Sequence, residues 1–92
     1  MKEQFTNPQV QKIIGAGREK FRTWMDMGFV SASKPSEHQG DPNLFDRIDV
    51  YAAALFKHLF IDLGMRREQA GQHAGEWASH ARAIKTKRFR IM

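Results

Sequence analysis

The longest apolar pattern in the chain lies between Asp46 and Gly64, where apolar side chains recur at intervals of three and four residues. This spacing places them on one face of an α-helix, so it predicts a long helix that forms the main hydrophobic element. Asp46 is expected to cap this helix, and Asp49 adds negative charge to its first turn. The side chains predicted on the buried face are Ile48, Tyr51, Ala52, Leu55, Phe56, Leu59 and Leu63.

Two short helices are predicted before this element. The first is a helix of about two turns within residues 5–15, with Asn7 as its N-cap and Gly15 as its end. The second covers residues 18–27, and Gly28 provides its left-handed stop. The Gly-Ala-Gly sequence between them lacks the third glycine and the preceding strand of a phosphate-binding loop, so it predicts a tight turn between helices.

A last helix is predicted over about 66–84. Its apolar residues form a narrow seam, which we expect to pack on the domain's own core in preference to a dimer contact. Gly71 and Gly75 lie inside this helix, where each costs about 1 kcal/mol relative to alanine unless another part of the chain packs closely there. The seam comprises Ala70, Ala74, Trp77, Ala81 and Ile84.

The segment between the second and third helices is polar and interrupted by proline and glycine, which predicts a loop. Its two ends are apolar, with Phe29-Val30 on one side and Leu44-Phe45 on the other. These pairs predict a minimal two-stranded ribbon whose tip is the polar stretch. The expected fold class is therefore mainly α, with about four helices and a small β-ribbon.

The net charge is +5, from 15 lysines and arginines against 10 aspartates and glutamates, and the pI is near 10.0. Such a balance is typical of proteins that bind nucleic acids or acidic surfaces. The charge is uneven, because residues 85–92 (KTKRFRIM) hold four basic side chains and no acidic ones. The predicted organisation is one domain over 1–84 followed by a basic C-terminal tail over 85–92.

Several function classes are disfavoured by what the sequence lacks. It has no cysteine, which excludes disulfides, thiolate metal sites and a cysteine nucleophile. The four histidines and the carboxylates show no catalytic spacing, so we expect no enzyme and no cofactor. His73, Glu76 and His80 could bridge a metal only in a favourable geometry, and a solvated cluster is the preferred interpretation. No apolar run suits a membrane span or a secretory signal, which predicts a cytoplasmic protein without a membrane partner.

The order of a short helix, a three-residue turn, a charged helix and an apolar-ended loop is that of a winged helix-turn-helix. Within it stand Phe21-Arg22-Thr23-Trp24, then Met27-Gly28-Phe29-Val30, and later Asp49-Val50 and Leu63-Gly64-Met65. On these residues the chain resembles the DNA-binding domain of the mercury-resistance regulator (MerR) family and the related excisionase-like winged helices. The resemblance runs from Phe5 to about Ala70.

The resemblance implies that the second helix enters the major groove of DNA while the loop acts as a wing on the flanking backbone or minor groove. The chemistry of the helix agrees, since arginine pairs with guanine, lysine neutralises phosphate and glutamate accepts from cytosine. For the loop, a solvated turn is an equal alternative. The candidate DNA contacts are Arg18, Glu19, Lys20, Arg22 and Thr23 of the second helix, Lys34, His38 and Gln39 of the loop, Arg47 of the third helix, and Lys85, Lys87 and Arg88 of the tail.

The function predicted from these features is sequence-specific binding of double-stranded DNA by a small transcriptional regulator. The alternatives are an excisionase-like architectural factor that bends DNA, and a protein-interaction module that has lost DNA binding. A homodimer or a cooperative oligomer on DNA is left open. No small-molecule effector is expected, because the sequence offers no room for a ligand-binding domain after the predicted helices.

Overall fold

The computed structural model describes residues 4–38 and 42–91, with 85–91 as backbone only. The fold is mainly helical, as predicted, and no named β-strand forms among the described residues. The elements are α1 (Asn7–Ile14), α2 (Arg18–Asp26), α3 (Arg47–Lys57), a π-helical turn (His58–Asp62) that continues α3, and α4 (Arg67–Ile91).

The N-cap of α1 is Thr6, so the prediction of Asn7 at that position is wrong by one residue. Thr6 has an extended backbone, and its N–H donates to Oε1 of Gln9 at 2.8 Å. Glutamine three residues after a threonine is the capping-box pattern, which satisfies a backbone donor that the helix leaves unpaired. Because this pattern fixes the start of α1, Asn7 becomes its first helical residue.

The predicted ends of the first three helical elements are confirmed. Gly15, Gly28 and Gly64 all have positive φ angles, of 72°, 82° and 70°. At Gly15 this conformation lets the N–H of Ala16 reach the carbonyl of Gln11 at 3.0 Å, which ends α1. The segment between α1 and α2 is therefore a turn between helices, as expected.

Phe56 of α3 is the centre of the hydrophobic core. Its ring centroid lies 5.1 Å from Trp24, 5.3 Å from Phe29 and 5.8 Å from Phe60. It is completely buried, as are Phe21 of α2 and two other large side chains of the core. Aromatic pairs at these separations add to the free energy of area burial, so this cluster joins α2, α3 and the segment after α2 into one core.

The predicted buried face of the third helix is only partly right. Tyr51 is 56% exposed and Leu63 is 62% exposed, whereas Val50 and Ala53 lie in the core. The buried stripe is set by Phe56 and its neighbours at three-residue intervals, which turns Tyr51 outward. Leu63 follows the π-helical turn, whose wider winding shifts the register of all later side chains.

Helix α4 is longer than predicted, because it continues beyond residue 84 to Ile91. Lysine and arginine are good helix formers, and no glycine or proline interrupts the segment after Ala83. Ala70 and Ala74 are buried against α3, as expected of the seam, but Trp77 is 38% exposed and Ile84 is 53% exposed. Only the first half of the seam therefore packs on the core.

The predicted ribbon between Phe29-Val30 and Leu44-Phe45 is wrong. The N–H groups of Phe29 and Val30 instead reach the carbonyl of Trp24, at 2.9 and 3.3 Å, and thereby close the C-terminus of α2. Leu44 pairs with Lys34 in an isolated antiparallel bridge, and Phe45 pairs with Phe5 ahead of α1. The N–H groups of Phe29 and Val30 bond the end of α2, so they are not available to pair with the residues before α3. The antiparallel bridge therefore forms farther along the chain, at Lys34.

The two glycines inside α4 differ in their surroundings and give opposite predictions. A Cβ atom on Gly71 would lie 2.7 Å from Cδ1 of Phe29, whereas nothing lies within 4 Å of one on Gly75. We expect Gly71→Ala to lower the free energy of unfolding by about 1–2 kcal/mol through overpacking. Gly75→Ala should raise it by about 0.5–1 kcal/mol, since alanine favours helix. Urea denaturation followed by circular dichroism measures both, and shifts of the same sign would contradict the packing of Phe29 on α4.

Candidate nucleic-acid interface

Helix α2 has one buried and one exposed face. Phe21 and Trp24, three residues apart, are buried and hold the helix on the core. The candidate DNA contacts of this helix, Arg18, Glu19, Lys20, Arg22 and Thr23, are all exposed. The side chains that sequence reasoning assigned to DNA therefore occupy one accessible surface, which we call the α2 face.

The charges of the α2 face are not neutralised within the described part of the chain. None of its side chains takes part in an ion pair or a side-chain hydrogen bond there. In particular, Glu19 and Arg22 do not form the helical pair that their spacing allows. The α2 face thus carries three basic groups and one acidic group, and all four can bind an external partner.

A groove of about 750 Å³ joins the α2 face to α1 and to the base of the loop. Arg18 and Arg22 line it from α2, Asn7 from α1, and Asn43 from the loop. Oδ1 of Asn7 is buried without a hydrogen-bond partner among the described residues. The groove shows that the two arginines and the base of the loop border one continuous surface.

The loop candidates are only partly described. Lys34 is exposed at the bridge to Leu44, with backbone hydrogen bonds of 3.0 and 2.8 Å between them. His38 is exposed, and its carbonyl accepts from Oγ of Ser36 at 2.9 Å. Gln39 lies outside the described residues.

Asn43 lies beside the bridge between Lys34 and Leu44, at the base of the loop. Its Oδ1 accepts from the N–H of Ser36 at 2.8 Å, across the loop. Asn43 therefore closes the loop from within, which is a structural role that its position in the sequence did not indicate.

The remaining candidates lie on the last two helices. Arg47 is the first residue of α3 and is exposed. Lys85, Lys87 and Arg88 belong to the helical backbone of α4, and their side chains lie outside the described part of the structure. The structure thus places the α2 arginines and the base of the loop along one groove.

A polar cluster around Arg82 was missed by sequence reasoning. Its guanidinium donates to Asp49 Oδ1 at 2.6 Å, to Asp46 Oδ2 at 2.7 Å and to Ser33 Oγ at 2.9 Å. Asp46 and Asp49 also bond each other's backbone N–H, at 2.8 and 3.0 Å, which confirms Asp46 as the cap of α3. The N–H of Ser33 donates to Asp49 at 2.7 Å. We call these four residues the Arg82 cluster.

The electrostatics of the Arg82 cluster favour the ionised forms of Asp46 and Arg82. Burial raises the pKa of Asp46, but hydrogen bonds from Arg82, from the Asp49 N–H and from Ser33 outweigh it and hold the pKa well below its ordinary value. The hydrogen bond to Asp46 is the largest cause of a raised pKa at Arg82. The Asp49 side chain is 8% exposed, so its carboxylate depends on these partners for its solvation.

The lowered pKa of Asp46 gives a pH prediction. In the unfolded chain this carboxyl titrates near 3.9, above its folded pKa, so its contribution to stability is complete above about pH 4 and is lost as pH falls toward the folded pKa. Asp46→Asn keeps a good N-cap but removes the charge, so the variant should be less stable at neutral pH and less sensitive to acid. Chemical denaturation between pH 7 and pH 2 measures this, and parallel acid profiles for the two proteins would contradict it.

The described part of the chain holds no metal-binding cluster and no membrane-spanning helix. No group of three or more histidine, cysteine, aspartate or glutamate side chains is placed there to hold a metal ion, including His73, Glu76 and His80. His58 and Asp62 form an exposed pair at 2.9 Å on the π-helical turn. Among the described helices, none is long and apolar enough to cross a bilayer.

Comparisons with protein-family models, with curated proteins and with solved structures found no match to this chain. The resemblance to MerR-like winged helices therefore stays a prediction that depends on the residues quoted for it.

Proposed function

We propose that the protein binds double-stranded DNA in a sequence-specific manner and acts as a small transcriptional regulator. The observation that carries this proposal is the α2 face, where three basic side chains and one acidic side chain are exposed on a short helix and make no ion pair among the described residues. A three-residue turn connects this helix to α1, as in a helix-turn-helix.

The size and chemistry of α2 suit the major groove. Its nine residues form a helix about 13 Å long. The major groove, about 12 Å wide, admits one α-helix. Arg18 and Arg22 can each pair with a guanine edge, and Glu19 can accept from cytosine. Lys20 supplies a phosphate contact that adds affinity without sequence preference.

The loop and the end of α4 complete the proposed interface. In this proposal the segment between Lys34 and Leu44 is the wing of a winged helix-turn-helix, and Lys34 and His38 contact the flanking backbone or minor groove. Arg47 contacts phosphate at the start of α3. Lys85, Lys87 and Arg88 add contacts that do not depend on sequence, each steepening the salt dependence by about one unit of slope.

The experiment that tests this function is selection of fragmented genomic DNA by the purified protein at near-physiological salt. At that salt, attraction to phosphate alone does not dominate the recovered fragments. We expect a short motif to be enriched, with an inverted repeat for a symmetric regulator and tandem direct repeats for an excisionase-like factor. Recovery that matches the input would overturn sequence-specific binding and favour a protein partner for this fold.

A further inference from the structure

The base of the loop between Lys34 and Leu44 is bonded by a residue that lies outside the loop. Ser33 immediately precedes Lys34, and Asp46 follows the Leu44-Phe45 pair. The Arg82 guanidinium donates to Oγ of Ser33 at 2.9 Å with Nη2 and to Oδ2 of Asp46 at 2.7 Å with Nη1. One side chain of α4 therefore bonds both ends of the loop.

Few hydrogen bonds cross the loop among its described residues. Besides the two backbone hydrogen bonds between Lys34 and Leu44, the bonds that cross it in the described residues include the one from Ser36 to Asn43. An antiparallel pair that consists of one isolated bridge is marginally stable on its own in water, so the orientation of the loop depends on what holds its base. The Arg82 cluster is buried at Asp49 and supplies that support from α3 and α4 at once.

From this geometry we propose that Arg82 is a positioning residue for DNA binding: by bonding both ends of the loop it orients Lys34 toward the DNA that α2 engages. The inference rests on the proposed function. Arg82 itself touches no DNA in this account, and its effect passes through Ser33 and Asp46 to the loop.

A competing explanation is purely electrostatic. Arg82 neutralises one of two carboxylates, those of Asp46 and Asp49, which would otherwise repel phosphate near Lys34. Arg82→Lys distinguishes the positioning explanation from the electrostatic one. Lysine keeps the positive charge, but its single ammonium replaces the planar guanidinium and cannot bond both ends of the loop at once. If Arg82 acts by positioning, DNA binding by Arg82→Lys should resemble that of Arg82→Met. If it acts by neutralising charge, DNA binding by Arg82→Lys should resemble that of the wild type.

The test is a double-mutant cycle with Lys34→Ala, read from the salt dependence of binding to a short duplex that carries the selected motif. In the wild-type background, Lys34→Ala should reduce the slope of log affinity against log salt by about 0.9, the loss of one phosphate contact. In the Arg82→Lys and Arg82→Met backgrounds it should change the slope by nearly zero, since the contact is already lost. Lys20→Ala, on α2, is the matched control and should reduce the slope equally in all backgrounds.

Equal slope changes for Lys34→Ala in every background would overturn the proposal. A second readout, amide hydrogen exchange, does not need DNA. The Lys34 and Leu44 amides should exchange at least about tenfold faster in Arg82→Lys than in the wild type, while the Phe21 amide is unchanged. If the wild type binds no DNA, the proposed function fails, and faster exchange at these two amides still supports the anchoring role while unchanged exchange overturns it.

Discussion

Replacement of Arg18, Lys20 and Arg22 by glutamate is expected to abolish sequence-specific DNA binding while the fold persists. The three side chains are exposed and make no ion pair or side-chain hydrogen bond among the described residues, so their replacement removes no such bond within the protein. Their loss removes base and phosphate contacts, and the new carboxylates repel the DNA backbone. We expect the affinity for the selected duplex to fall on the order of a thousandfold, measured by fluorescence anisotropy.

A matched control tests whether the location of the charge matters. Lys12, Arg66 and Arg67 are also exposed, and their replacement by glutamate changes the net charge by the same amount outside the α2 face. This control should bind far more tightly than the α2 variant, and circular dichroism should show native helix content in both. Retained affinity in the α2 variant, or an equal loss in the control, would refute the assignment of α2 as the recognition helix.

The parts of the fold that were predictable depend on local signals. Gly15, Gly28 and Gly64 end helical patterns because a left-handed backbone is easiest for glycine, and this requirement is readable without tertiary information. Asp46 is an N-cap by the same local logic. The exposure of the α2 face also followed from sequence, because the spacing of Phe21 and Trp24 fixes which side of the helix is buried.

The wrong predictions arise where two local interpretations compete. Phe29-Val30 has the composition of a strand, but it follows a helix whose last carbonyls need donors, and the cap prevails. The third helix has apolar residues around much of its circumference, so periodicity alone placed Tyr51 and Phe56 on the same buried face. The aromatic partners of Phe56 decide which side is buried, and they come from distant parts of the sequence.

The Arg82 cluster was beyond sequence reasoning for a different reason. Arg82 lies 36 residues from Asp46 and 49 from Ser33 in the chain, and no spacing rule links them. In the sequence, nothing distinguishes Arg82 from the other basic residues near the segment 85–92. Only the packing of α4 against α3 brings it to the base of the loop, where it bonds Asp46, Asp49 and Ser33.

Truncation of Phe56 is expected to have the largest effect on stability of any single substitution in the core. The ring is fully buried and contacts Trp24, Phe29 and Phe60, which come from α2, from the segment after it and from the π-helical turn. Phe56→Ala removes these contacts and leaves a cavity, which costs about 3–5 kcal/mol in a buried site. A domain of this size has a total stability of only about 5–15 kcal/mol, so the variant should be close to unfolding at ambient temperature.

Leu63→Ala is the control for this truncation, because its side chain is 62% exposed and should change the unfolding free energy by less than about 0.5 kcal/mol. Urea denaturation of the three proteins gives the comparison. Phe56→Ala also separates stability from recognition, because the Phe56 ring contacts Trp24 on the buried side of α2. Any Phe56→Ala protein that remains folded at low temperature should therefore bind the selected duplex with nearly native affinity. A loss of unfolding free energy below about 1 kcal/mol would contradict the central place of Phe56 in the core.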